Sequence, residues 1–244
     1  MPGYYFISDA HLGLASREIE REKESQLIAF IKSIAPKAKG LYIVGDLFDA
    51  WFEYRTVIPK GYHRLFSALE DLTRSGVSVD YFVGNHDFWI RDYFQKELGM
   101  RTHHDPCAVE LCGKKVYIHH GDGVANNDMG YRILKKILRN RISVWLYTWL
   151  HPDIGLALAR SSSKKSRNYT SQKDYGEEDG MMQFARAKIE DGFDIVIMGH
   201  RHSPVSKNLG NGTYINLGDW ISHYTYAELN DNGITLKHWN HQPK

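Results

Sequence analysis

A chain of 244 residues with 31 Lys or Arg against 29 Asp or Glu has a formal net charge of +2, so its overall charge does not point to a nucleic-acid partner. Two cysteines, Cys107 and Cys112, without CxxC spacing exclude a disulfide framework and read as reduced thiols. No run reaches the ~20 apolar residues of a membrane span, and the N-terminus enters a strand without a signal segment, so a cytoplasmic protein is expected.

Taken in chain order, residues 4–8 predict a strand, with Asp9, Ala10 and His11 at its exit. Leu27, Ile28, Ile31 and Ile34 recur at helical spacing and predict a helix over 17–37, ended by Pro36. The run LYIVGDLFD at 41–49 reads as a buried strand with Asp46 just past its end, which completes a βαβ unit. Trp51, Phe52 and Tyr54 follow, either as core or as substrate contacts. Residues 62–74 predict a second helix with Leu65, Leu69 and Leu72 on one face, and 77–83 a third strand. Residues 109–111 and 115–119 flank Cys112 and Gly113 as a hairpin, and from Ile215 onward the chain reads as strand again. Helices alternating with strands, and hairpins late in the chain, predict a mixed α/β sandwich.

Residues 130–173 interrupt this order. They hold ten Lys or Arg against the single acid Asp153, an excess of nine positive charges that leaves the rest of the chain at −7. Ile133, Leu134, Ile137, Leu138, Ile142, Trp145 and Trp149 lie among the basic residues at helical spacing. An amphipathic helical insertion follows, placed over 124–180 within a single domain of residues 1–244. Its apolar stripe either packs on the main domain or forms a greasy, positive cap for an anionic amphiphile or a membrane surface. The ARSSSKKSR run has the composition of a linker, and its charge equally suits a phosphate.

The chemistry lies at the strand ends. Asp9 with His11, Asp46, Asn85 with His86 and Asp87, His119 and His120 with Asp122, and His200 with His202 each follow an apolar run. One sheet edge gathering them would hold metal, and carboxylate, imidazole and amide together suit Mn, Fe, Co or Zn better than Mg or Ca. Seven candidate ligands exceed what one tetrahedral ion needs; two ions sharing a carboxylate at the ~3.5–4 Å spacing of dimetal hydrolases would use them. His86, expected to be held by Asp87, would stabilise transition-state charge or protonate a leaving oxygen.

The ordered motifs DxH, GDxxD, GNHD, HGD and GHxH over residues 9–202 resemble those of calcineurin-like metallophosphoesterases. That resemblance implies a four-layer αββα sandwich of two mixed sheets with a helical cap insertion. It assigns Asp9, His11 and His202 to one metal, Asn85, His120 and His200 to the other, and Asp46 as the bridge, with Mn first among the candidate ions. SDAHLG, GDLFDAWFEY and the insertion between HGD and GHRH look like the UDP-2,3-diacylglucosamine diphosphatases of lipid A synthesis, in which the insertion is a lid over the acyl chains. By that likeness the substrate would meet Asn85, His86, Asp128, Arg160, Ser163, Arg167 and His200, with His86 standing where many members have Arg. The products would be UMP and 2,3-diacylglucosamine 1-phosphate, and peripheral contact with the cytoplasmic face of the membrane is expected. A phosphoesterase of soluble nucleotides or phosphoproteins, and a non-catalytic scaffold of the same fold, are the competing expectations.

Overall fold

The computed structural model describes residues 2–124, 129–170 and 180–240, with side chains of 129–132, 134 and 164–170 set aside. Five of its strands run first: β1 (Gly3–Ile7), β2 (Ala38–Val44), β3 (Ser78–Phe82), β4 (Arg101–His103) and β5 (Cys107–Leu111). They are followed by β6 (Lys114–Ile118), β7 (Ile195–Met198), β8 (Pro204–Leu209), β9 (Gly212–Leu217), β10 (Thr225–Asn230) and β11 (Gly233–His238). The helices are α1 (Arg17–Ile34), α2 (His63–Arg74), α3 (Tyr93–Leu98), α4 (Met129–Leu138), α5 (Arg141–Tyr147), α6 (Pro152–Thr170) and α7 (Gly180–Glu190).

Two mixed sheets result. One has the order β11-β10-β1-β2-β3-β4 and is parallel from β1 to β4; the other has the order β5-β6-β7-β9-β8 and is parallel across β6, β7 and β9. The period of two along a strand explains the layering. Tyr5, Ile7, Leu41, Ile43, Val79 and Tyr81 turn outward onto α1, α2 and α3. Phe6, Tyr42, Val44 and Phe82 turn inward against Val116, Ile118, Ile195 and Ile197 of the second sheet. Val196, Met198 and Tyr214 turn out again, onto Met181, Ala185 and Ile189 of α7. Both faces of each parallel strand are therefore apolar, as such sheets require, and the layers are those of an αββα sandwich.

Most predicted elements are present, within a few residues. The β5–β6 hairpin turns through Cys112 at φ 51° and Gly113 at φ 68°, the two left-handed residues of a type I′ turn. Trp51 and Phe52 are core residues, and Phe52 also packs on Tyr147 of α5 at 4.7 Å. Elements that the sequence reading passed over are α3, β4, α7 and β8; the first two are too short to display a period, and half of the β8 residues are exposed. The serine-rich ARSSSKKSR run is a correction: it is helical, within α6, because the Ala- and Leu-bearing turns before it propagate through the serines.

Candidate metal centre

Parallel strands deliver their C-terminal ends to one edge, so β1, β2, β3, β6 and β7 bring all five motifs together. The exits are tightly bent. Asp9, His11, Asp46, His200 and His202 all have left-handed φ, between 43° and 69°, which non-glycine residues rarely adopt. Glycines make the crowding possible: a Cβ on Gly84 would fall inside the Asp46 carboxylate, and one on Gly199 inside that of Asp9.

The donor atoms converge. His11 Nε2 and His202 Nε2 stand 3.0 Å apart, and they lie 3.7 Å and 3.3 Å from Asp9 Oδ1. Asp46 Oδ2 is 3.7 Å from His11 Nε2 and 3.3 Å from His120 Nε2, so this one carboxylate faces both halves of the site. His120 Nε2 is also 3.1 Å from Asn85 Oδ1, while its Nδ1 sits 2.9 Å from the Val44 carbonyl. A proton held on Nδ1 by that carbonyl leaves the Nε2 lone pair aimed into the site, the usual arrangement of a metal-ligating imidazole. Side-chain atoms of Asp9, His11 and His202, and of Asp46, His120 and His200, form two compact groups able to hold an ion, and a third group joins His11, Asp46 and His86.

A divalent cation fits these residues on two further grounds. Asp9 Oδ1 is fully buried and accepts no hydrogen bond among the described residues, a costly state that a cation would relieve. The protonation pattern also asks for positive charge. Burial by itself would raise the Asp46 and Asp9 carboxyls, yet the surrounding imidazoles hold both well below the usual carboxylate range. Burial likewise disfavours charge on His120 and His11, but the carboxylates around them win and push them up to about 10 and about 9. His200, buried and beside His120, is pushed down to about 4.

The remaining expected residues fall as follows. His86 lies at the rim: its backbone N–H donates to Asp46 Oδ1 at 2.8 Å and its Nδ1 meets the Asp49 carbonyl at 3.1 Å. Asp87 does not hold His86, which corrects the sequence reading. Neighbouring side chains on an extended exit point to opposite sides, and Asp87 instead accepts from Gly84 N at 2.8 Å and from the Tyr81 hydroxyl, clamping the loop. His119 turns from the metal cluster and accepts from Gly121 N through Nδ1. Ser163 of α6 is buried and donates to Asp49 Oδ1 at 2.7 Å. Arg160 is exposed, and the side chain of Arg167 and all of Asp128 lie outside the described residues.

Two residues of the motifs, Asp49 and Asp122, were given no role of their own in the sequence reading. Asp49 braces the first-named imidazoles: its Oδ1 is 3.5 Å from His11 Nδ1 while its carbonyl orients His86, a role that its place in GDxxD signals. Asp122 is paired with Lys135 at 2.7 Å, and Arg139 lies 4.0 Å away, so α4 and the residue after it are tied to the HGD exit. Between the helices and this edge lies a cavity of about 280 Å³. Asp49, Asn85 and His86 form its polar end, and Phe88, Trp89, Leu138, Tyr147 and Leu158 its apolar wall.

The family model of calcineurin-like phosphoesterases matches residues 4–204 of the chain. A UDP-2,3-diacylglucosamine hydrolase of Porphyromonas gingivalis is 34% identical, the match covering 96% of this chain and 96% of that protein. Proteins of the same name are 32% identical in Stenotrophomonas maltophilia, over 95% of this chain and 96% of the relative, and 30% identical in Haemophilus influenzae, over 90% and 91%.

Proposed function

The chain belongs to the calcineurin-like phosphoesterase family, and from that premise we propose that it is the hydrolase that splits UDP-2,3-diacylglucosamine into UMP and 2,3-diacylglucosamine 1-phosphate in lipid A synthesis. The observation that carries the reading is the cavity that opens on Asn85 and His86 and turns apolar at Phe88, Trp89, Leu138, Tyr147 and Leu158. A soluble phosphoester has no use for such a wall. At about 280 Å³ the cavity falls just below the ~300–1,000 Å³ usual for ligand sites, so it takes part of the lipid. The remainder would run along the exposed apolar side chains of α4 to α6, which also serve peripheral contact with the cytoplasmic membrane face. Among the described residues no helix is long and apolar enough to cross a membrane.

In this reading Asp9, His11 and His202 hold one divalent ion, Asn85, His120 and His200 a second, and Asp46 both; Mn is the first candidate. Bound there, the ions would lower the pKa of a water and neutralise the phosphoryl oxygens. The reaction consumes one water, whose oxygen becomes bonded to one phosphorus while the bridging oxygen leaves on the other. His86 would stand beside the phosphoryl group, with its ring fixed by the Asp49 carbonyl. Burial lowers its pKa, so it donates a hydrogen bond from a neutral ring or gains a proton as negative charge builds next to it. Both products leave as phosphate monoesters, weak bases that need little proton donation. Asp87, bonded to Gly84 N and Tyr81, keeps the Asn85–His86 turn in place, and Arg160, Ser163 and Arg167 on α6, with Asp128, are assigned to the sugar phosphate.

The test is an assay of the purified, manganese-supplemented protein on UDP-2,3-diacylglucosamine and on UDP-glucose. Release of UMP from the lipid substrate alone is expected; equal turnover of both would overturn the reading.

A further inference from the structure

A second, smaller cavity of about 120 Å³ adjoins the metal edge on its His120 and Asp122 side, and it is polar where the first is apolar. Lys135 and Arg139 line both cavities and so form the wall between them. Their spacing explains this. Arg139 N donates to Lys135 O at 2.9 Å, which continues the helical geometry of α4 by one residue, and positions i and i+4 project on one face.

Arg139 is held from two directions. Its Nη2 donates to Gly84 O at 3.0 Å, at the base of the Asn85–His86 turn, and its guanidinium lies over the Phe88 ring at 5.3 Å. Its Nε is buried and has no hydrogen-bond partner among the described residues. An unmet donor on a charged group is costly. Asp122 pairs with Lys135 at 2.7 Å and lies 4.0 Å from Arg139, and Asp105 also lines the cavity. The unmet Nε therefore belongs to a residue that lines a polar cavity next to the centre proposed to cleave a pyrophosphate.

We propose that this polar cavity is the subsite for the nucleoside monophosphate half of the substrate, and that Lys135 and Arg139 are its phosphate ligands. The inference rests on the cleavage assigned above, in which the acyl-sugar half occupies the apolar cavity and the nucleotide half must leave on another side. Arg139 fits the role through its fork, whose Nη2 is anchored on Gly84 O while Nε is left for an acceptor. Lys135 supplies a point charge from the same face. His103, His104 and Asp105 at the rim offer hydrogen-bond partners to a ribose or pyrimidine.

The experiment is calorimetric titration of the manganese-loaded protein with UMP and, separately, with inorganic phosphate, for wild type, Arg139→Ala, Arg139→Lys and Lys135→Ala. UMP carries no acyl chain, so its affinity does not report the apolar cavity. UMP should bind wild type more tightly than phosphate does. Arg139→Ala should weaken it roughly ten- to a hundredfold, Lys135→Ala less, and Arg139→Lys should recover part of the loss, with metal content unchanged throughout. UMP binding as tight in Arg139→Ala as in wild type, or no tighter than phosphate in wild type, would overturn the subsite. If Arg139→Ala does not fold, the Arg139→Lys and Lys135→Ala affinities decide on the same criterion. A protein that binds UMP through Arg139 yet leaves UDP-2,3-diacylglucosamine intact would retain the subsite and lose the substrate assignment.

Discussion

Trp51 and Trp220 keep 1% and 0% of their surface exposed, whereas Trp145 and Trp149 keep 57% and 75%. The contrast runs through the two regions to which these residues belong. In the sandwich, apolar side chains are consumed by packing between layers, and the strand exits they fix form the metal centre. In the helices from α4 to α6, Ile133, Ile137, Ile142, Leu146, Ile154 and Leu158 are exposed as well, beside lysines and arginines. Their apolar character does not serve the core. Surfaces of this kind mark interaction sites, and here they flank the apolar cavity. One region is built to hold atoms still, and the other, in the proposed function, would meet something greasy and anionic.

The sharpest way to break this comparison is Asp46→Ala. Because Asp46 Oδ2 faces both His11 and His120, its loss should abolish turnover and lower occupancy of both metals together. Elemental analysis showing two full equivalents in that variant would remove Asp46 as the bridge. His86→Ala should keep both metals and slow turnover by ~10²- to 10³-fold, the usual effect of deleting one preorganised charge-stabilising group; an unchanged kcat would leave His86 a structural residue.

The other region predicts smaller effects on a different readout. Replacing Trp145 and Trp149 by Ala should reduce cosedimentation with anionic phospholipid vesicles, while stability in urea changes by no more than about 0.5 kcal/mol per site, as expected of exposed positions. Large destabilisation without loss of vesicle binding would place these indoles in the fold. The smallest effect is at the sheet edge, where Asp80 accepts from Arg101 at 2.8 Å and 2.6 Å and meets His103 at 2.8 Å. Burial would raise the Asp80 carboxyl, but His103 and Arg101 hold it below its ordinary value. A carboxyl depressed in the folded state contributes stability above its unfolded pKa of about 3.9 and loses it as pH falls through the lower folded value. Arg101→Ala should thus cost about 1 kcal/mol or less near pH 7, since the guanidinium is largely solvent-exposed. The difference from wild type should shrink below pH 4 in urea titrations, and a difference that grows there would reverse the assignment.

What the amino-acid order determined by itself is local and periodic. The apolar runs before Asp9, Asp46, Asn85, His119 and His200, each closed by polar residues, were enough to set the strands, their C-terminal ends and the candidate ligands. Alternation with helices was enough for the layered class, because a strand with both faces apolar needs cover on both. Only the tertiary structure decided how neighbouring polar residues divide their work. Asp87 and His86 are adjacent in sequence, but the turn sends one to Tyr81 and Gly84 and the other to Asp49. The left-handed φ of five site residues arises where strand exits crowd against glycines, a condition set by neighbours distant in the chain. Asp49 beside Ser163, and Arg139 beside Gly84, are contacts across 114 and 55 residues. No local period encodes them, because long-range contacts depend on where packing seats α4 and α6 over the strand ends.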